Sequence, residues 1–258
     1  MLAHAIRGTG HQDVVLLHGF LGMGRNLASV ARLWAAVDED KRFILPDLLG
    51  HGTSPPLPSA PTLLHLGEAL VALLRQLHRG APYHLVGHSL GGRVALQTCA
   101  LAPEMVSAVT LLDIEPGPTA ATDPHGPSRL VPILLSAPKA VADRASMRKH
   151  FTDRGVPGAL SDWLLMNLAR RDGSYVWRIG RRALATLAQS SQKTDLWPLL
   201  PQLRCRVHCI RGERSTFVSD DVAARMVNAG IPVETIADAG HFLHVDQPVA
   251  LNERLCRL

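Results

Sequence analysis

Short apolar runs alternate with amphipathic helical stretches along most of this chain. That alternation is what a mostly parallel sheet with helices on its faces requires. Residues 14–17 read as a buried strand that stops at His18-Gly19. Residues 26–37 read as a helix, and residues 42–45 as the next strand, which runs into a turn-rich loop from Asp47 to Gly52. Across residues 63–78, Leu63, Leu66, Leu70, Leu73, Leu74 and Leu77 recur at helical spacing. Residues 83–86 read as a strand, 90–101 as a helix and 108–112 as a further strand. The rhythm lapses between about 116 and 192, where helical stretches carry no clear buried strand. It returns with strands at 206–210 and 233–236, a helix near 220–227 and a last helix from about Gln247. The expected organisation is one α/β core built from residues 1–115 and 193–258, interrupted by a helical lid at 116–192.

The chain is long enough for such a core. Of its 258 residues, 47% are apolar and 19% charged, an ordinary globular balance. The formal charge of +5 raises nucleic acid as a partner. The basic residues are scattered, however, and aromatics at 4% are too few for a base-stacking platform. No nucleic-acid partner is expected. No stretch approaches the roughly 20 apolar residues that span a bilayer, and the N-terminus has no apolar run behind a basic start. A cytoplasmic protein without a membrane span is expected. Cys205 and Cys209 would lie about 13 Å apart on one strand, too far for a disulfide. Cys99, Cys205, Cys209 and Cys256 are expected to be buried free thiols.

Gly87-His88-Ser89-Leu90-Gly91 fits the pattern G-x-S-x-G. Alone it is a weak signal, arising by chance in roughly one chain in ten of this size. Here it follows an apolar strand and opens a helix, where a nucleophile elbow must sit. Small residues around Ser89, with Gly92 beyond, let strand and helix approach closely in a strained turn. A serine hydroxyl needs a base within reach. Among 13 histidines the candidate is His241, which follows the last expected strand. It would share the carboxyl edge of the sheet with the elbow, where ligands bind. The oxyanion needs pre-aimed donors. The N–H groups of Leu90 and of Phe20, in the loop after the first expected strand, are the candidates. No metal site is expected, because His84 with His88 and His241 with His244 lack matching ligands.

These segments resemble the α/β-hydrolase superfamily. His18-Gly19-Phe20, the Asp47…Gly50-His51-Gly52 loop, Gly87-His88-Ser89-Leu90-Gly91-Gly92 and Gly240-His241 stand in the family order and span the chain nearly end to end. The resemblance implies an α/β-hydrolase fold: a mostly parallel central sheet flanked by helices, with an inserted helical lid. It also implies a Ser–acid–His triad and no cofactor.

The acid departs from the common pattern. Most of the superfamily has Asp in a G-x-x-D stretch after the lid, and here that stretch is Gly212-Glu213-Arg214-Ser215. Two carboxylates are available instead. Asp113 ends the strand after the nucleophile strand. Glu213 lies in the usual loop, two residues early, a displacement of about 6 Å. A subgroup, the YbfF-type esterases and α/β-hydrolase domain-containing protein 11, is similar in placing its acid after the earlier strand, in Asp-Ile-x-Pro. Here that reads Asp113-Ile114-Glu115-Pro116. The subgroup also has Arg-Gly-x-x-Ser, here Arg211 to Ser215, and a lid with Leu-Leu-x-Asn-Leu and Trp-Arg, here Leu164 to Leu168 and Trp177-Arg178. The subgroup more often has Arg-Asn before His51-Gly52, where this chain has Leu49-Gly50. The resemblance implies Asp113 as the acid, with Glu213 as the alternative.

The expected reaction is hydrolysis of a small-molecule acyl ester or thioester. Ser89 attacks the acyl carbon, His241 takes its proton and then activates water, and Asp113 orients His241. Leu21, His88, Trp163, Met166, Trp177 and Phe242 are the candidate pocket residues. The basic excess of the lid would favour anionic acyl carriers such as coenzyme A thioesters, with Arg170 and Arg171 as the groups to neutralise. Two other classes share these residues: a C–C bond hydrolase or a lyase like SHCHC synthase, and a non-catalytic small-molecule receptor. A haloalkane dehalogenase or epoxide hydrolase would need Asp at position 89.

Overall fold

The computed structural model describes residues 1–119 and 126–258. Strands β1 (His4–Arg7) and β2 (Gln12–Leu17) lead through a tight 3₁₀ turn to helix α1 (Ala28–Ala35). Then come β3 (Lys41–Pro46), α2 (Leu63–Leu77), β4 (Tyr83–His88), α3 (Leu90–Leu101) and β5 (Val106–Leu112). The middle segment holds α4 (Pro127–Ser136), β6 (Ala140–Val141), α5 (Arg144–Thr152), α6 (Gly158–Leu165), β7 (Leu168–Arg171), β8 (Ser174–Trp177) and α7 (Arg181–Lys193). The chain closes with β9 (Arg206–Gly212), α8 (Asp220–Asn228), β10 (Val233–Ile236), α9 (Leu243–Asp246) and α10 (Pro248–Leu255).

Seven strands form one sheet in the order β1-β3-β2-β4-β5-β9-β10. All neighbours are parallel except β1, which pairs antiparallel with β3 at the edge. The pleat sends alternate residues to opposite faces. Val15, Leu17, Leu85, Val109 and Leu111 pack with α2 and α3, while Val14, Leu16, Val86, Leu112 and Ile210 pack with Trp34, Leu251 and Leu255 from α1 and α10. Strands buried on both faces read as unbroken apolar runs, which is why they were visible in the sequence. β1 was not, because its residues are mostly exposed and carry no apolar pattern.

Two expectations need correction. The helix expected over 26–37 is split, with a 3₁₀ turn at Gly24–Leu27 before α1. The Asn26 side chain closes that turn by accepting from the Met23 N–H at 2.6 Å. The middle segment is not purely helical either. It holds a three-stranded antiparallel sheet in the order β6-β8-β7. β7 and β8 are joined by Asp172-Gly173, both at positive φ (47° and 79°), the Asp-Gly signature of a type I′ hairpin.

Two buried polar side chains tie the middle segment to the core. Asn167 donates to the Leu21 carbonyl at 2.8 Å. Arg93, on α3 and only 2% exposed, donates to the carbonyls of Glu115 and Ser191 at 3.1 Å each, and to those of Gly117 and Thr194. Burial lowers its pKa to about 10. Arg93→Leu strands these carbonyls in the interior, at a cost of about 3 kcal/mol. The expected calorimetric result is a Tm lower by about 10 °C, and an unchanged Tm would contradict this anchoring role.

The cysteines are free, but not all are buried: Cys205 is half-buried and Cys256 exposed. The Sγ atoms of Cys99 and Cys205 lie 3.0 Å apart.

Candidate active site

β4 delivers Ser89 to the carboxyl edge of the sheet on a sharp turn. Ser89 sits at φ 54°, ψ −118°, a conformation that costs a non-glycine residue energy and persists only where its surroundings impose it. The Ser89 N–H donates to the Leu112 carbonyl at 3.0 Å, and the Gly92 N–H donates to the Ser89 carbonyl at 2.9 Å. Crowding explains the flanking glycines. A Cβ on Gly87 would stand 2.4 Å from the Gly91 backbone, and one on Gly91 would stand 2.3 Å from the Leu17 carbonyl oxygen. Leu90 is the first residue of α3, so its N–H has no acceptor within the helix. Phe20 reaches the same place from the loop after β2 and, with Ser89 and His241, lines one small cavity.

His241 lies in the loop between β10 and α9. Its Nδ1 is 2.7 Å from Asp113 Oδ2. Asp113 is fully buried and follows β5 at φ 53°. Its carboxylate also accepts from the Gly212 N–H at 3.1 Å and from the Ser215 hydroxyl. A carboxylate on Nδ1 keeps the proton there and leaves Nε2 as the basic nitrogen. Among the described residues Ser89 Oγ makes no hydrogen bond to His241, although both line the cavity. Glu213 is exposed and accepts from the Asp238 N–H at 3.0 Å, away from His241.

The cavity at Ser89 encloses about 30 Å³. Pro127 and Leu130 of α4 and Trp163 of α6 close it from the middle segment, with Phe217 and Phe242 from the core. Of the expected pocket residues, His88, Trp163 and Phe242 reach it. The other three lie elsewhere. Leu21 is wholly buried in the core below its loop. Met166 offers its sulfur to Asn26 at 3.8 Å. Trp177 donates to the Pro138 carbonyl at 2.8 Å and packs on Phe151 inside the middle segment. Arg170 and Arg171 are exposed on β7 and line none of these spaces. A larger recess of about 730 Å³ lies beside Ala108, Arg206 and Arg257, at the strands' opposite edge and away from Ser89. Among the described residues no three His, Cys, Asp or Glu side chains gather as a metal site. Nor is any helix long and apolar enough to cross a membrane.

A model of the alpha/beta hydrolase family matches residues 14–254. The chain belongs to that family. Among its relatives, the sn-1-specific diacylglycerol lipase ABHD11 of Danio rerio is 30% identical over 251 residues, covering 92% of this chain and 74% of the relative. Esterase YbfF of Escherichia coli K12 is 28% identical over 257 residues, covering 93% and 90%. A solved structure of a marine microorganism esterase matches with a TM-score of 0.86 over 99% of this chain and 98% of its own, at 23% identity, a likeness of fold.

Around the site this α/β hydrolase makes three further contacts, of which only that of Phe217 lies on a residue outside the motifs. The Phe217 ring stacks on His241 at 3.8 Å between centroids and 18° between planes. Ser215, standing where many family members have Asp, turns its hydroxyl to Asp113. His88 lies behind His241 and donates from Nε2 to the His241 carbonyl at 2.8 Å. The family's early His-Gly pair also has a defined task. His18 donates from Nδ1 to the Gly19 carbonyl at 2.8 Å and accepts from the Leu48 N–H at 2.9 Å, so one neutral ring links the β2 loop to the β3 loop.

Burial keeps such rings neutral. It lowers the pKa of His18 to about 4, of His51 to about 3 and of His244 to about 4. As pH falls, the unfolded chain binds these protons before the folded one does. Their stabilisation is therefore complete above about pH 6.5 and is lost progressively towards pH 4. At pH 5 each ring costs about 2 kcal/mol relative to neutral pH. The calorimetric Tm is expected to fall by at least about 10 °C between pH 7 and pH 5. A flat Tm over that interval would show that these rings are not held neutral.

Proposed function

We propose that this chain is a serine carboxylic-ester hydrolase working through an acyl-enzyme on Ser89. The observation that carries the reading is the 2.7 Å contact between His241 Nδ1 and the buried Asp113 carboxylate, which leaves Nε2 as base beside Ser89. Ser89 Oγ attacks the acyl carbon as Nε2 takes its proton, and the oxyanion is held by the Leu90 and Phe20 N–H groups. The imidazolium then protonates the departing alkoxide, the carbonyl re-forms and the alcohol leaves. Water attacks the acyl-enzyme, gives its proton to Nε2, and the carboxylic acid departs with the Ser89 hydroxyl restored. The Ser89–His241 hydrogen bond forms as substrate fills the cavity, as is common where the resting bond is long. The face of Phe217 stabilises the imidazolium when it appears. Residues 116–192 act as the lid over this site. Arg170 and Arg171 lie outside the cavity at Ser89, so the cavity lining itself selects for no anionic acyl carrier.

Hydrolysis of 4-nitrophenyl esters from acetyl to palmitoyl tests the reading. The expected result is turnover above the uncatalysed rate with a defined chain-length optimum. Folded protein inert to the whole series would replace this reading with the lyase or the receptor.

A further inference from the structure

The cavity at Ser89, about 30 Å³, holds little more than the reacting group. Directly beyond Trp163 and Phe242 lies a groove of about 290 Å³, walled by those two rings with Pro157, Ala159, Leu160 and Val245. The rings meet edge to face with centroids 5.9 Å apart and belong to both spaces. Val245 is 66% exposed, an apolar side chain facing water. Asn26, His244 and Asp246 are the polar members of its described lining; burial keeps His244 neutral, and the Asp246 carboxylate already accepts from the Gly240 N–H at 2.8 Å. The groove therefore suits an uncharged, apolar occupant. A protein cavity of about 150 Å³ accepts benzene, so this volume suits a chain of about ten carbons.

We propose that the groove receives the hydrocarbon chain of the ester, and that the Trp163–Phe242 pair is the gate through which the chain reaches Ser89. The inference rests on the ester-hydrolase reading. Trp163 sits on α6 of the lid and Phe242 follows His241 directly, so opening the gate parts the lid from the loop that carries the base. A long chain reaches the groove from Ser89 only when the two rings part.

Ala159 is exposed near the start of α6, so Ala159→Trp fills the groove without disturbing the core. Each buried methylene contributes about fourfold to binding. Calorimetric titration of decanoate into Ser89→Ala protein, with and without Ala159→Trp, reads the groove apart from catalysis. A Kd at least tenfold weaker with the tryptophan supports the proposal. Equal affinity, or no binding to either protein, overturns it whatever the hydrolytic activity. In the Ser89 protein, 4-nitrophenyl decanoate carries the chain on the acyl side and decyl acetate carries it on the alcohol side. Ala159→Trp is expected to lower kcat/KM at least tenfold for one of the two, relative to 4-nitrophenyl acetate, and the affected ester identifies the side. Unchanged ratios for both overturn the proposal. Decanoate binding that Ala159→Trp weakens, in a protein inert to every ester, refutes the hydrolase reading and leaves the groove standing.

Discussion

Ser89→Ala is expected to lower kcat for 4-nitrophenyl acetate by about 10⁶-fold, the scale on which removing a triad nucleophile acts. Without Oγ no acyl-enzyme forms, and the rest of the site can only hold the ester for attack by water. The proposed oxyanion donors are backbone N–H groups that survive the substitution, so a residual rate of about 10³-fold over water is expected. KM changes little, because the ground-state ester touches the cavity walls more than the hydroxyl. Alanine also leaves the Ser89 N–H to Leu112 bond intact, so the fold persists and Tm is the control. A kcat within tenfold of wild type would remove Ser89 from the chemistry.

The second large effect separates the two carboxylates. Asp113→Asn is expected to cost about 10⁴-fold in kcat, the loss seen when a triad acid becomes an amide. The Asn amide is a donor, so it turns the imidazole to the wrong tautomer and cannot stabilise the imidazolium. The Gly212 N–H and the Ser215 hydroxyl, both donors to the present carboxylate, would meet an amide in its place. Glu213→Gln removes only the charge of an exposed acceptor for the Asp238 N–H and is expected to leave kcat within about twofold. The reverse ranking would move the acid to Glu213.

The choice between these carboxylates shows where sequence stops being enough. The elbow was legible because strand, glycines and helix are contiguous in the chain. The carboxylate beside His241 was not, because its position depends on which strands are neighbours. β5 pairs with β9, with Leu112 opposite Ile210, and the Asp113 N–H donates to the Ile210 carbonyl at 2.9 Å. That pairing brings residues from both strand ends under His241, and no local pattern encodes it. Resemblance to the subgroup pointed to Asp113, while the residues alone left Glu213 open. Phe217 was invisible for a related reason, since a single aromatic in an irregular loop has no periodicity to mark its target. Among the pocket candidates, only chain position and residue type point to Leu21 and Trp177. Both side chains are held elsewhere, Leu21 in the core and Trp177 on Pro138 and Phe151. The small sheet of the middle segment has little sequence signal because its strands are short and half-exposed, although Asp172-Gly173 is the mark of its hairpin.

Acyl transfer to Ser89 is read out by a phosphonate ester. 4-Nitrophenyl alkylphosphonates react with an activated serine as an ester does, but the adduct resists water. Intact-mass and peptide mass spectrometry of the treated protein should find one phosphonyl group per chain, on Ser89, formed with release of one nitrophenolate. The adduct should be absent in Ser89→Ala and should form far more slowly in Asp113→Asn. A folded protein that takes up no label, or is labelled on another residue while Ser89 stays free, would rule out Ser89 as the nucleophile.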